Sequence, residues 1–85
     1  MEKPTELVET VDLMLSSNYE NRFRGEYYQL IIRIKKLDKF IRQFKQGELD
    51  FKPDCSLDVL ERQLEVMIKY AKTLEVRADI EGIEI

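Results

Sequence analysis

The sequence predicts an all-α protein: an antiparallel two-helix hairpin with heptad seams and a short N-terminal helix, which oligomerises as a helical bundle. Two observations predict this fold class. Two long segments carry apolar residues at alternating steps of three and four, a spacing typical of helices that pack along one seam. The 85 residues also include only three glycines and two prolines, a composition that favours long uninterrupted helices.

The size and composition of the chain indicate one small folded domain. Hydrophobic residues make up 44% and charged residues 36% of the sequence, which is the balance of a folded amphipathic protein rather than a disordered one. A chain of this length buries only about 60% of its unfolded surface, and oligomerisation is a common remedy. We therefore expect residues 1–85 to form a single helical domain that self-associates.

A first helix is predicted at about residues 4–15. Pro4 is suited to the first turn of a helix, and Glu6 and Glu9 place negative charge near its positive N-terminus. The polar residues 16–18 then favour a break. The sequence therefore predicts a short acidic helix that ends before the long segments begin.

The second and longest helix is predicted at about residues 18–46. Ser17 and Glu20 have the spacing of a capping box at its start, and Gly47 is a suitable C-terminal stop. Between them only Gly25 disfavours a helix, by about 1 kcal/mol relative to alanine. The heptad spacing predicts that this helix packs along one side against another helix. Its seam is formed by Phe23, Tyr27, Leu30, Ile34, Leu37, Ile41 and Phe44.

A loop at residues 47–56 separates this helix from a third one at about residues 57–81. Ser56 is a suitable N-cap for the third helix, and Gly82 ends it before a short tail at residues 82–85. Because two long helices joined by a short loop fold back on each other, we expect an antiparallel hairpin. The third helix has its own unbroken seam, formed by Leu57, Leu60, Leu64, Met67, Ala71, Leu74 and Ala78.

Both long helices carry more apolar residues than a two-helix seam uses. The first helix can cover part of this surplus and complete a three-helix unit, and the remainder predicts a homo-oligomer. We therefore assign the seam residues to the hairpin or oligomer interface. The surplus residues are Tyr28, Ile31, Ile32 and Phe40 on the second helix, and Val59, Val66, Ile68, Tyr70, Val76 and Ile80 on the third.

The sequence lacks the residues that most enzyme chemistry needs. It contains no histidine, its single cysteine, Cys55, has no partner for a disulfide or a zinc site, and its isolated glycines form no phosphate loop. Two carboxylate pairs share helix faces, but a solvated surface explains them better than a metal site. We therefore expect no enzyme activity, no metal and no cofactor. The pairs are Glu61 with Glu65 and Glu75 with Asp79.

Positive charge is concentrated on the second helix. Residues 22–45 contain eight basic and two acidic residues, so this segment carries +6 in a chain of net charge −3. Cations beside aromatic rings can hold phosphates and stack bases. The basic residues of this helix can instead pair with the acidic first helix or with acidic residues of a neighbouring molecule. General DNA binding is not expected, because DNA-binding domains are usually basic overall and this chain is acidic. The candidate ligand-binding residues are Arg22, Arg24, Tyr28, Lys35, Lys39 and Arg42.

Two segments of the chain match a pattern found in a known family. They are RFRGEYYQLIIRIKKLDKFI and LDVLERQLEVMIKYAKTLEVRADIEGIEI. The positions that carry the match are Arg22, Phe23, Glu26, Tyr27, Leu30, Lys36, Leu37, Phe40, Ile41, Leu60, Gln63, Leu64, Met67, Tyr70, Leu74 and Arg77. Over residues 18–85 the chain thereby resembles a family of small hypothetical helical-hairpin proteins of tailed phages and prophages, the crAss-phage-related small protein family.

The resemblance implies a phage accessory protein that acts by binding in the cytoplasm of a bacterial host. Small phage proteins of this class often antagonise host defence, so it implies sequestration of a cyclic or linear nucleotide messenger, or inhibition of a host defence protein such as a CRISPR effector. The alternative is a structural or regulatory phage protein that acts through helical protein–protein assembly. A membrane partner is not expected, because no apolar run approaches the roughly 18 residues that a spanning helix needs.

Overall fold

The computed structural model describes residues 2–85 and is helical throughout its regular parts. A 3-10 turn at Leu7–Thr10 continues into α1 (Val11–Met14), and two long helices follow, α2 (Tyr19–Gln46) and α3 (Leu57–Glu81). No strand occurs within residues 2–85, so the predicted all-α class is confirmed. The described chain extends 43 × 24 × 18 Å, because the 28-residue α2 sets its length.

The first helix is shorter than the sequence predicts. It begins with the turn at Leu7 instead of at about residue 4, because Glu6 is extended (φ −128°, ψ 149°) and its side chain caps no backbone amide. Thr10, which is almost fully buried, donates its hydroxyl to the Leu7 carbonyl at 2.7 Å and closes the turn. The described residues before Leu7 therefore form a non-helical N-terminal segment.

Asn18, and not Ser17, caps the start of α2. The Asn18 side chain accepts a hydrogen bond from the Asn21 amide at 3.0 Å, which satisfies one of the unpaired N–H groups of the first turn. The predicted capping box is displaced because Asn18 itself holds the extended conformation of the N-cap (φ −85°, ψ 124°). At the other end, Gly47 has a φ of 70°, which glycine adopts without steric cost.

The two ends of α3 are also defined by side-chain and backbone hydrogen bonds. The Ser56 hydroxyl accepts a hydrogen bond from the Val59 amide at 3.4 Å. Gly82 takes a φ of 70° after the last turn, and the Ile83 amide then donates to the Ala78 carbonyl at 2.8 Å. Because Ile83 is buried, the tail after α3 is packed against the hairpin instead of extending from it.

The core lies between α2 and α3, towards the start of α2 and the end of α3. Small side chains at Ala71 and Ala78 allow the two helices to approach closely where the facing seam carries Phe23 and Leu30. Most core residues are seam positions. The buried cluster is formed by Phe23, Leu30, Ala71, Leu74, Ala78 and Ile83, against which Tyr27, Ile31, Ile34, Met67 and Ile85 pack.

α1 packs on a different face of α2 from the one that α3 occupies. Gly25 permits this approach, since a Cβ at this position would lie 2.9 Å from Met14 Cγ and 3.0 Å from the Met14 nitrogen. Within residues 2–85, α1 does not touch α3, so α2 is the middle layer of three. The apolar side chains of α3 that stay exposed are Val59, Val66, Ile68, Tyr70, Val76 and Ile80.

The half of the hairpin nearest the connecting loop has only two layers. Within residues 40–70, Ile41 is the one buried residue. Phe40 of α2 and Phe51 of the loop lie with their ring centroids 6.2 Å apart and cover the end of the hairpin. The molecule is therefore well packed at its core end and open at its loop end.

Candidate anion-binding site

Three hydrogen bonds between tyrosine and glutamate join α2 to α3 in the described part of the chain. Each is a phenol donating to a carboxylate, the charge-assisted type that is stronger than a bond between neutral groups. Heptad spacing does not predict them, because the partners are 44 to 62 residues apart in the sequence. The pairs are Tyr19 with Glu81 at 2.6 Å, Tyr27 with Glu75 at 2.7 Å, and Tyr70 with Glu26.

These contacts shift the pKa values of the groups involved. Partial burial, together with the hydrogen bond to Glu75, raises the pKa of Tyr27 to about 12. The hydrogen bond to Glu81 raises the pKa of the Tyr19 phenol, and the same bond lowers the pKa of the Glu81 carboxyl. The contacts therefore favour a protonated phenol opposite an ionised carboxylate.

Arg77 strengthens the same side of the hairpin. Its guanidinium lies 5.2 Å from the centre of the Phe23 ring, a cation–π contact. Its Nε donates to Glu81 at 3.1 Å, and a terminal nitrogen donates to the Tyr19 hydroxyl at 3.0 Å. Arg77 and Tyr70 are among the polar positions of the phage-family pattern, and both hold α3 against α2.

The six predicted ligand-binding residues do not form one continuous site. All lie on α2, but they line different surfaces, and whether they bind a ligand stays a prediction. Arg22 donates to the Ser16 carbonyl at 2.9 Å and lines none of the cavities described here. The remainder divide into Arg24 and Tyr28 in one cavity, Lys35 and Lys39 in a second, and Arg42 in a groove near the loop.

The guanidinium of Arg24 is fully engaged within the protein. Its Nε donates to the Glu84 carbonyl at 2.8 Å and Nη1 donates to Asn21 at 3.1 Å. Its Nη2 lies 3.6 Å from the Glu20 carboxylate, and the side chain is only 19% exposed. Tyr28 is buried beside it, which raises the pKa of its phenol. Arg24 therefore holds the tail on α2, at the edge of a cavity of about 480 Å³.

Lysines dominate the second cavity, which we call the lysine pocket. Its volume is about 300 Å³. Three lysines and two isoleucines of α2 line one side, and the N-terminal segment forms the other wall. A cavity with apolar residues and several convergent charges resembles a small-molecule site more than a solvated helix face does. The pocket is lined by Pro4, Thr5, Glu6, Ile31, Ile32, Lys35, Lys36 and Lys39.

One of the three lysines is paired within the chain and two are not. Lys36 Nζ lies 3.8 Å from the Glu6 carboxylate, with both side chains more than half exposed. Lys35 and Lys39 are exposed and form no ion pair with any of residues 2–85. The pocket therefore keeps a net positive charge after its internal pair is counted.

The rest of the described chain offers little other site chemistry. Cys55 is an exposed free thiol. In residues 2–85, no three Cys, Asp or Glu side chains are grouped so as to hold a metal ion. None of the helices in that range is both long enough and apolar enough to cross a membrane.

The fold is that of a small all-helical protein, and three lysines of its longest helix line one cavity. The family model described as Sequestin matches residues 17–80, and the chain belongs to the Sequestin family. The matched range includes α2 and almost all of α3, with the three lysines, but not the N-terminal segment. No curated protein and no solved structure gives a significant match. The relation to phage proteins stays a prediction.

Proposed function

We propose that this protein sequesters a small anionic signalling molecule, most plainly a nucleotide, in its lysine pocket. The observation that carries the proposal is the convergence of Lys35, Lys36 and Lys39 on a cavity of about 300 Å³ in a member of the Sequestin family. The family's name points to sequestration. A nucleotide combines phosphates, which ammonium groups attract, with a base that packs on apolar side chains.

The chemistry of the pocket favours holding a ligand over converting it. Lys35 and Lys39 can contact phosphate oxygens, while Ile31 and Ile32 provide apolar surface for a base or sugar. The whole sequence has no histidine, the commonest general base. We therefore propose a binding protein without enzyme activity, whose effect depends on lowering the free concentration of its ligand.

The biological setting we propose is phage counter-defence in the cytoplasm of a bacterial host. A sequestering protein removes a nucleotide messenger before the host effector that responds to it is activated. The resemblance of residues 18–85 to small phage proteins supports this setting, and the Sequestin family agrees with the mode of action.

Calorimetry with cyclic and linear nucleotides tests the proposal. We expect at least one nucleotide to bind with a Kd below about 10 µM, equivalent to about 7 kcal/mol. The variant Lys35→Glu/Lys39→Glu should abolish that binding. Lys52→Glu/Lys72→Glu is the matched control, because it makes the same change in net charge at exposed lysines outside the described cavities. Equal loss in both variants would show a general charge effect and contradict the lysine pocket.

A second candidate function is binding to a host defence protein. α1 and α2 form an apolar groove of about 340 Å³, and the apolar side chains Val8 and Leu15 on its rim are 77% and 79% exposed. Exposed apolar surface of this kind often marks a protein-binding site. Val8→Glu/Leu15→Glu should then abolish co-purification of a stoichiometric partner from host lysate and leave nucleotide binding unchanged.

Self-association, or a structural role through helical assembly, is the alternative that the exposed face of α3 favours. Val66 and Ile80 are 59% and 78% exposed on that face, and α1 does not cover them. We expect a homo-oligomer by light scattering at micromolar concentration, and Val66→Glu should shift it towards monomer. A monomer in both proteins would remove this alternative and leave the pocket proposal in place.

A further inference from the structure

We infer that Glu6 is a gatekeeper of the lysine pocket. Its carboxylate pairs with the Lys36 ammonium, so that an anion with several charges binds by displacing the Glu6 carboxylate. This inference rests on the proposed function, because it assigns a selective role to one wall of the same pocket. Glu6 is the acidic residue that lines the pocket, and its carboxylate lies 3.8 Å from the Lys36 ammonium.

The contact is well suited to exchange. Glu6 is 65% exposed and Lys36 is 58% exposed, so water screens the pair and little free energy opposes its opening. The Glu6 carbonyl accepts a hydrogen bond from the Glu9 amide at 3.0 Å, but its side chain caps no backbone amide, so the carboxylate can move without breaking the first turn. The carboxylate can therefore leave Lys36 without unfolding α1.

At Lys36, the same contact disfavours ligands that carry a single charge. Glu6 is attached to the pocket, and a tethered group competes at an effective concentration in the millimolar range. A monocarboxylate would exchange one carboxylate contact at Lys36 for another and gain little. A polyphosphate gains contacts with Lys35 and Lys39 as well, and these exposed lysines have no internal ion pair to break.

The gate is separate from the part of the chain that the family model covers. The three lysines lie within residues 17–80, whereas Glu6 lies outside that range. The ligand class that follows is a molecule with clustered phosphate charge, such as a polyphosphate or the phosphate groups of a nucleotide. The N-terminal segment then adjusts the affinity of a pocket whose cations belong to α2.

Inorganic tripolyphosphate is the probe for the test, titrated at constant ionic strength while the backbone amide signals of residues 31–39 are followed by NMR. We expect Glu6→Gln to bind tripolyphosphate about twofold to fivefold more tightly than the natural protein, the size expected when an exposed ion pair is removed. Asp12→Asn is the matched control, because it neutralises an exposed carboxylate nearby that lines none of the described cavities.

A double-mutant cycle with Lys36→Gln separates the gate from a general field effect. If Glu6 acts through Lys36, the gain from Glu6→Gln disappears when Lys36→Gln is also present. Equal affinities for Glu6→Gln and Asp12→Asn, or a gain that survives Lys36→Gln, would overturn the gate and leave the proposed function intact. If neither the natural protein nor Glu6→Gln binds tripolyphosphate, the lysine pocket fails and the gate fails with it.

Discussion

Tyr27 of α2 donates a hydrogen bond of 2.7 Å to the carboxylate of Glu75 on α3, across the seam on which the two helices pack. Contacts between apolar side chains tolerate a small slide of one helix along the other, whereas a hydrogen bond of this length does not. With the other two tyrosine–glutamate bonds it fixes the axial alignment of α2 and α3, so these polar residues specify what the apolar seam leaves adjustable.

The first prediction concerns alkaline pH. Because the folded protein raises the pKa of Tyr27 to about 12, against an ordinary value of 10, the native phenol keeps its proton where the unfolded phenol has lost it. Unfolding then releases a proton, and stability falls as pH rises from 10 to 12. Urea denaturation across this range should show a smaller fall in Tyr27→Phe. If stability fell equally with pH in Tyr27→Phe and in the natural protein, Tyr27 would not be the group responsible. Glu75→Gln, which removes the carboxylate that accepts the hydrogen bond, is measured in the same way.

The second prediction compares the same substitution at a buried and an exposed leucine. Leu74 is 1% exposed in the core, whereas Leu15 is 79% exposed after α1. Leu74→Ala leaves a cavity and should lower the free energy of unfolding by about 2–5 kcal/mol. Leu15→Ala should change it by less than about 0.5 kcal/mol. Chemical denaturation measures both, and comparable losses would mean that α1 contributes more to the core than its exposure indicates.

The third prediction reverses the usual effect of replacing a helical glycine. Gly25→Ala improves helix propensity by about 1 kcal/mol. However, its Cβ would meet Met14 Cγ at 2.9 Å and the Met14 nitrogen at 3.0 Å, and overpacking of this kind costs about 1–3 kcal/mol. We expect a net loss of stability by thermal denaturation. Met14→Ala should relieve only part of the strain, because the backbone contact remains. A stabilised Gly25→Ala would show that α1 does not stay docked on α2.

The fourth prediction concerns the tail. The Arg24 guanidinium donates to the Glu84 carbonyl, and the preceding residue, Ile83, is buried in the core. Arg24→Gln should therefore release the last residues and increase their digestion by carboxypeptidase. Arg42→Gln is the control, since Arg42 forms an exposed ion pair with Asp38 at 2.8 Å that does not involve the tail. Equal digestion of both variants would argue that Ile83 alone holds the tail.

The sequence predicts the fold well where the signals are local. The heptad spacing within α2 and α3, and the glycines at positions 47 and 82, determine the conformation of residues only a few positions away. The helices consequently run close to the predicted ranges. The first residue of α2 is harder to predict, because Asn18 and Ser17 are both good N-cap residues and only the backbone conformation decides between them.

The candidate site was predictable only in part. The spacing of basic residues on α2 identified Lys35 and Lys39 but grouped them with Arg24. The guanidinium of Arg24 is engaged by the carbonyl of Glu84 in the tail, 60 positions away in the sequence. Lys36 was missed as a site residue because it lies off the predicted stripe, and its relation to the others depends on the path of the N-terminal segment. Knowledge of that path requires the packing of α1 on Gly25, which no periodic pattern encodes.

The position of α2 as the middle layer means that α1 and α3 influence each other only through α2. Since α1 and α3 have no contact with each other within residues 2–85, a substitution that frees one has no direct path to the other. Loss of residues 2–15 would therefore expose the face of α2 that carries Gly25 without removing any direct contact between α2 and α3. One wall of the lysine pocket and the partner helix of the core are thus carried on different faces of a single helix.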